Sequence, residues 1–473
     1  MKIRLVLPVL AGSGLLLMVG CTSVGPDYEK PEVETPDAWH EAVQEEFKSG
    51  EPDLQTWWTV FGDDTLNSLI ERSAANNLNL KTAVARIEQA AALRGVSASQ
   101  YWPELATGAA ATAFRTASAT TPPAAERSDA MYRAGLTMAW ELDLWGRIRR
   151  SVESSEASLQ ASVENYRDIL VLLYADIAVN YINVRTLQER IRFAENNLEA
   201  QKRTLELTNN RFNSGLVPAL DVSQSKLNLS RTQSLIPPLR QQLIEAINRL
   251  SVLMGEMPYA LQQELEKTQP IPSVSGELVV GVPADLLRQR PDIRRAEREL
   301  AAQNALIGAK KAELFPTLSL PGTLAVESVD GNLFSGGNTL YSFGPQIRWN
   351  IFSGGRIRNQ INAEKAATKA ALYTYEQTLL LALEEVEDSM SAFANEKDRI
   401  RSLEEAAASA EKSATLVTEL YTSGLTDFQN VLSMEQAVLE QQDELATSRG
   451  RISTYLVGVY KALGGGWAAV PAE

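Results

Sequence analysis

Apolar positions along this chain fall into two rhythms. In the first, Leu159, Val163, Tyr166, Leu170, Leu173, Ile177, Val184, Leu187, Ile191, Leu198, Leu205 and Phe212 recur in steps of three, four or seven, the spacing of one helix face. That stretch lies between Gly146 and Gly215, which enclose 68 residues without Gly or Pro; Gly355 and Gly424 enclose another 68. Such a helix extends roughly 100 Å at about 1.5 Å per residue, and its heptad seam calls for partner helices packed nearly parallel. The pattern predicts long helices over 147–214 and 356–423, each closed by a Ser-Gly pair suited to a left-handed cap. Return helices are expected over 219–254, kinked at Pro237-Pro238, and over 427–463. Helices 64–101 and 285–313 precede the long ones, capped in the first case by Asp63 or Asp64 and stopped by Pro103 and Pro316.

The second rhythm has period two. Leu136, Met138, Trp140, Leu142 and Leu144 alternate with Gly135, Thr137, Ala139, Glu141 and Asp143; Phe343, Pro345, Ile347, Trp349 and Ile351 alternate with Gly344, Gln346, Arg348 and Asn350. One apolar and one polar face over about ten residues marks a membrane-spanning strand. Strands are expected over 104–116, 132–144, 316–328 and 342–352, joined by polar loops 117–131 and 329–341. Four strands of a soluble sandwich are the alternative. Four strands cannot close a barrel, and an open edge cannot face hydrocarbon, so several chains must share one. Two would give a barrel filled by its own side chains and three a passage; the polar Gln346, Arg348 and Asn350 suit a wet lumen.

The two rhythms occur twice. Trp140 with Gly146-Arg147-Ile148-Arg149 matches Trp349 with Gly355-Arg356-Ile357-Arg358, and Arg211-Phe212-Asn213-Ser214-Gly215-Leu216 matches Leu420-Tyr421-Thr422-Ser423-Gly424-Leu425, both at an offset of 209. The chain therefore divides into a first unit (61–255), an insert (256–284), a second unit (285–464) and a tail (465–473). Ahead of them, Lys2 and Arg4, an apolar run and Cys21 read as a secretory signal (1–20) followed by an acylated cysteine. Residues 21–60, rich in Pro and acids, should be extended. A net charge of −14 argues against nucleic-acid binding, and one cysteine with one histidine leaves little for a metal site or general-base catalysis. No enzymatic chemistry is expected, and no cofactor beyond the covalent lipid on Cys21.

These features together resemble the TolC superfamily of outer-membrane efflux ducts, in its OprM/NodT-type lipoprotein branch. The resemblance rests on Cys21-Thr22 with Val24-Gly25-Pro26-Asp27-Tyr28, on the stretch from Val282 to Ile293 containing Arg290-Pro291-Asp292, on the paired Trp…Gly-Arg-Ile-Arg stretches, and on Lys461-Ala462-Leu463-Gly464-Gly465-Gly466-Trp467. It implies an α+β membrane protein: a homotrimer whose twelve-stranded β-barrel, four strands per chain, continues into a twelve-helix periplasmic α-barrel. An equatorial belt would use the N-terminal segment, the insert and the tail. It also implies a periplasmic adaptor gripping the tips at Ser214-Gly215-Leu216 and Ser423-Gly424-Leu425, an inner-membrane pump of the RND type, and anchorage in outer-membrane lipid.

By distance from the tip glycines, the gate falls on Gln429, Asn430 and Ser433, with Asp427 beside them and Asp221 in the first unit. The acidic ring common in such ducts is missing here. A gate held by hydrogen bonds and packing is expected, although Asp427 also has the position of a helix cap. Glu384-Glu385, Glu387-Asp388 and Glu404-Glu405 read as a solvated face rather than acid–base pairs, Gly464-Gly465-Gly466 lacks the Lys-Ser/Thr of a phosphate loop, and His40 reads as a surface residue. Two other classes remain open: a duct for type I protein secretion, and a lipid-anchored coiled-coil scaffold without a channel.

Overall fold

The computed structural model describes residues 23–33, 36, 39, 47–49, 53–115, 117, 128–273, 278–280 and 289–467. The signal region, Cys21, Thr22, His40, most of loop 117–131 and residues 282–288 of the Arg-rich motif lie outside them. The longer helices are α1 (Asp64–Asn76), α2 (Leu78–Ser99), α3 (Arg147–Asn213), α4 (Ala219–Leu253), α5 (Pro291–Ala312), α6 (Arg356–Thr422) and α7 (Phe428–Ala462). The chain separates into two compact units, one of 1–32, 86–163 and 295–376, the other of 33–85, 164–294 and 377–473.

The first unit carries the two larger sheets. Strands β1 (Glu104–Arg115), β2 (Ser128–Ala139), β3 (Glu141–Leu142), β4 (Thr317–Ser319), β5 (Gly322–Ser328), β6 (Thr339–Phe343) and β7 (Gln346–Arg348) form a four-stranded sheet in the order β1-β2-β5-β6 and a three-stranded sheet in the order β3-β4-β7. All pairings within these two sheets are antiparallel. The register aligns Leu136 with Leu324 and Leu324 with Tyr341, one exposed apolar row, while Arg133 meets Glu327 and Thr137 meets Thr323 on the opposite face. The small sheet repeats the division: Leu142, Leu318 and Ile347 share one row, Glu141, Ser319 and Gln346 the other.

The strands break where their sequence cannot continue a ladder. The strand expected over 132–144 starts at Ser128, because Ser128–Ala130 still pair with Ala113–Arg115, and it ends at Ala139. There the Trp140 indole donates to the carbonyl of Tyr101 (2.9 Å), just past α2. Trp349 does the same to Leu314 (3.0 Å), just past α5, so each of the paired tryptophans staples a strand end to the preceding helix. The stretches expected as 316–328 and 342–352 are interrupted around Pro321 and Pro345, which have no N–H to give.

The second unit is mainly helical, with one short parallel strand pair, Phe47–Ser49 against Leu278–Val280. Its core gathers Trp57, Phe61, Leu66, Ile70, Tyr181, Leu250 and Leu456, with Trp57 stacked on Tyr460 at 5.4 Å. The helix expected over 64–101 is two. Asn77 leaves helical geometry, caps α2 by accepting from Asn79 (2.8 Å) and Leu80 (3.0 Å), and donates to the carbonyl of Leu253 at the end of α4 (2.8 Å). α4 runs through Pro237 and Pro238 without ending. The glycine run after α7 serves close approach: Gly466 donates to Leu54 (2.7 Å) at φ 107°, and a Cβ there would meet the Tyr174 ring at 2.9 Å. Trp467 follows between Arg167 (4.7 Å) and Arg294 (5.4 Å).

Arg290 explains its motif. Almost fully buried, it donates to Asp292 through Nε (3.1 Å) and Nη2 (2.8 Å), to Glu385 (2.9 Å), and through Nη1 to the last α7 carbonyl, Ala462. Glu385 also takes Lys461 at 2.9 Å. Burial alone would raise the Glu385 carboxyl, but Lys461 and Arg290 outweigh it and hold the group below the usual carboxylate range. Glu404 likewise pairs with Arg449 (3.1 Å).

Candidate functional site: the helix-hairpin tips

Both long helices end in the same hydrogen-bonded turn. Gly215 (φ 71°) donates to Phe212 and Leu216 to Arg211; Gly424 (φ 76°) donates to Tyr421 and Leu425 to Leu420. This pair of bonds satisfies carbonyls left over at a helix end and needs a left-handed residue, hence glycine. Nothing lies within 4 Å of a Cβ added at Gly215, so its backbone angle alone demands Gly. Ser214 and Ser423 return their hydroxyls to Asn210 (2.9 Å) and Glu419 (3.0 Å). Leu216 and Leu425 then stand 66% and 74% exposed, two apolar side chains open to their surroundings.

The expected gate residues turn out to bond locally. Asp427 is the N-cap of α7, accepting from the Asn430 N–H (3.2 Å); the Asn430 side chain donates to Thr426 (2.8 Å), and the Ser433 hydroxyl to the Gln429 carbonyl (2.9 Å). Asp221 lies in the first turn of α4. Its carboxyl is pushed up by burial and, secondarily, by the charge of Asp427, so the two acids that begin the return helices repel each other.

What ties the two hairpins together was missed. The Arg211 guanidinium, at the end of α3, donates to the carbonyl of Thr422 at the end of α6 (2.7 Å) and lies 4.9 Å from the Tyr421 ring centroid. Tyr421 meets Phe428 edge-on at 5.6 Å, and with Val431 they form a small core flanked by Leu207, Val217, Val417 and Leu432. The signal was present: Leu420 stands in the second copy where Arg211 stands in the first, so the cation is used once. Behind it, α3 repeats the cross-link at intervals of seven. Arg190 pairs with Asp443 (2.7 Å), Asn197 donates to Gln442 (2.6 Å) and Thr204 to Glu435 (2.5 Å).

Glu435 also accepts from Asn228 on α4 (2.9 Å), joining three helices. Burial pushes its carboxyl up against the opposing pull of both donors. A raised acid contributes stability below its unfolded range that is lost as pH rises through its folded value. Glu435→Gln, which keeps an acceptor and removes the charge, should therefore stabilise the protein by roughly 1 kcal/mol at neutral pH. In thermal unfolding the gain should vanish in acid; a variant less stable at neutral pH contradicts this.

Cys21, the expected anchor, lies outside the described residues, but the chain just after it is fixed. Val24 donates to the Trp145 carbonyl (3.0 Å), Gly25 packs on Gly308, and Tyr28 donates to Glu297 (2.9 Å).

Comparison with known proteins gives these features a context. The profile of the family described as outer membrane efflux protein matches residues 69–256 and 282–465. The chain is 28% identical over 460 residues to nodulation protein T of Rhizobium leguminosarum bv. viciae, covering 97% of this chain and 94% of the relative. It is 29% identical over 462 residues to the solvent efflux pump outer membrane protein SrpC of Pseudomonas putida, at coverages of 96% and 97%. The solved structure of the outer-membrane channel OprN superposes with a TM-score of 0.87 at 34% identity, over 94% of this chain and 99% of that one.

Proposed function

This chain belongs to the outer membrane efflux protein family, and from that premise we infer that it is the outer-membrane exit duct of a tripartite efflux system, passing substrate from a periplasmic adaptor and an RND-type pump to the exterior. The observation that carries the reading is the sheet. Among the described residues β1 and β6 each have one neighbour in it, and an unpaired edge in hydrocarbon leaves its N–H and C=O groups unsatisfied. Three copies pairing edge to edge make twelve strands, closed and wide enough for a passage. The row of Leu136, Leu324 and Tyr341 then faces lipid, and Arg133, Glu327 and Thr137 face water. Acylated Cys21 adds an anchor, since each buried CH₂ contributes about 0.8 kcal/mol.

The tips serve as gate and dock. Leu216 and Leu425, held out by the glycine turns, offer an adaptor two exposed apolar side chains. The gate is a packed tip held by Arg211, with Asp427 and Asn430 fixing the turn that presents Tyr421 and Phe428. Planar-bilayer recordings test it. Asp427→Ala should raise resting conductance, because losing a cap costs the helix about 0.5–2 kcal/mol, and Asn430→Ala should raise it by removing the bond to Thr426; unchanged conductance in both contradicts a gate at these residues.

A further inference from the structure

Between α5 and the first turns of α6 lies a groove of about 550 Å³ whose charge runs against that of the chain. The protein carries a net charge of −14, yet Lys311, Arg358 and Lys365 all line this groove, and none makes an ion pair among the described residues. The two carboxylates nearest in sequence are engaged elsewhere: Glu313 takes Lys310 (2.9 Å) and Glu364 accepts from Gln303 (2.7 Å). Arg358 and Lys365 sit seven residues apart on one face of α6, with Asn362 and buried Ile361 between them. Leu314 and Phe315 supply an apolar wall, 39% and 37% exposed.

The location narrows the occupant. Phe315 is two residues from the start of β4, and β7 ends at Arg348, eight residues before α6 begins. Trp349, Ile351 and Phe352 are strongly exposed over that connection, as aromatic and apolar side chains are at the rim of a membrane-spanning sheet. Val24 and Gly25 complete the groove, three and four residues after the cysteine at position 21 in sequence. We propose that this groove binds the phosphodiester headgroup of an anionic glycerophospholipid in the periplasmic leaflet, the three cations taking the phosphate while Leu314 and Phe315 meet the start of the acyl chains. Unpaired cations beside hydrocarbon attract anionic lipid and have little reason to hold a neutral one. Such a lipid would fix the depth and tilt of the strand–helix junction next to the anchor.

This inference rests on the sheet lying in the membrane, and one experiment keeps the two readings apart. Full-length acylated protein is exposed to phosphatidylglycerol and phosphatidylethanolamine in equal amounts and examined by native mass spectrometry. Phosphatidylglycerol should be retained preferentially. Lys311→Gln, Arg358→Gln and Lys365→Gln combined should reduce that retention roughly tenfold or more, while Lys202→Gln, Lys226→Gln and Lys412→Gln combined should leave it unchanged. Arg358→Gln and Lys365→Gln alone should give partial losses, which keeps the result readable if the triple variant folds poorly. Equal retention of both lipids, equal loss in the control, or displacement by inorganic phosphate at millimolar concentration overturns the lipid site. The oligomeric state in the same spectrum bears only on the duct.

Discussion

Replacing Arg211 with alanine should raise the resting conductance of the duct by about one to two orders of magnitude. The guanidinium reaches from one hairpin tip to the other, through a 2.7 Å bond to Thr422 and its position 4.9 Å from the Tyr421 ring. A hydrogen bond from a charged donor contributes roughly 1.5–3 kcal/mol, and each 1.4 kcal/mol shifts a closed-to-open ratio about tenfold. If that bond is made only in the closed tip, its whole worth goes into gating. Arg211→Lys, which keeps charge but lacks the planar fork, should fall between wild type and alanine. Asp221→Asn provides the opposing case: it removes the repulsion with Asp427 and should lower conductance. An Arg211→Ala channel with wild-type conductance contradicts the latch.

Arg290→Ala should be the most damaging single substitution outside the sheets, at about 3–5 kcal/mol, the usual result of breaking a buried ion pair from one side. It leaves Asp292 without its guanidinium, Glu385 with Lys461 alone, and the Ala462 carbonyl at the end of α7 unpaired. Arg290→Met combined with Glu385→Leu and Asp292→Asn should cost less than Arg290→Ala, because neither carboxylate is left without its guanidinium. The pH dependence follows from Glu385, whose carboxyl is held low. Its contribution is present at neutral pH and is lost as pH falls through its folded value. Thermal unfolding between pH 7 and 3 should show wild type losing its advantage over Arg290→Ala; a constant difference contradicts the network.

The long helices are legible in sequence because 68 residues without Gly or Pro, carrying a strict 3/4 apolar repeat, leave a helix no place to stop. Their ends are legible for the complementary reason, that Ser-Gly pairs supply the one backbone geometry that closes them. The break at Asn77 is not, since an asparagine can cap a helix or continue one, and the Leu253 carbonyl that takes its amide lies 176 residues away. Strand ends at Ala139 and Phe343 were misjudged because the apolar alternation continues through Trp140 and Pro345 while the hydrogen-bond ladder does not. At the tip, counting from the glycines led to Asn430 and Ser433, whose polar groups bond within their own turn. The linking residue was visible only as a difference between the two copies, Arg211 against Leu420, and what that difference accomplishes depends on a carbonyl 211 residues away.

If three copies close the barrel, each chain holds a third of it. Native mass spectrometry of the acylated protein released from detergent reads that directly, without reference to substrate or pump. A single trimeric species is predicted; a stable monomer or dimer would contradict the account.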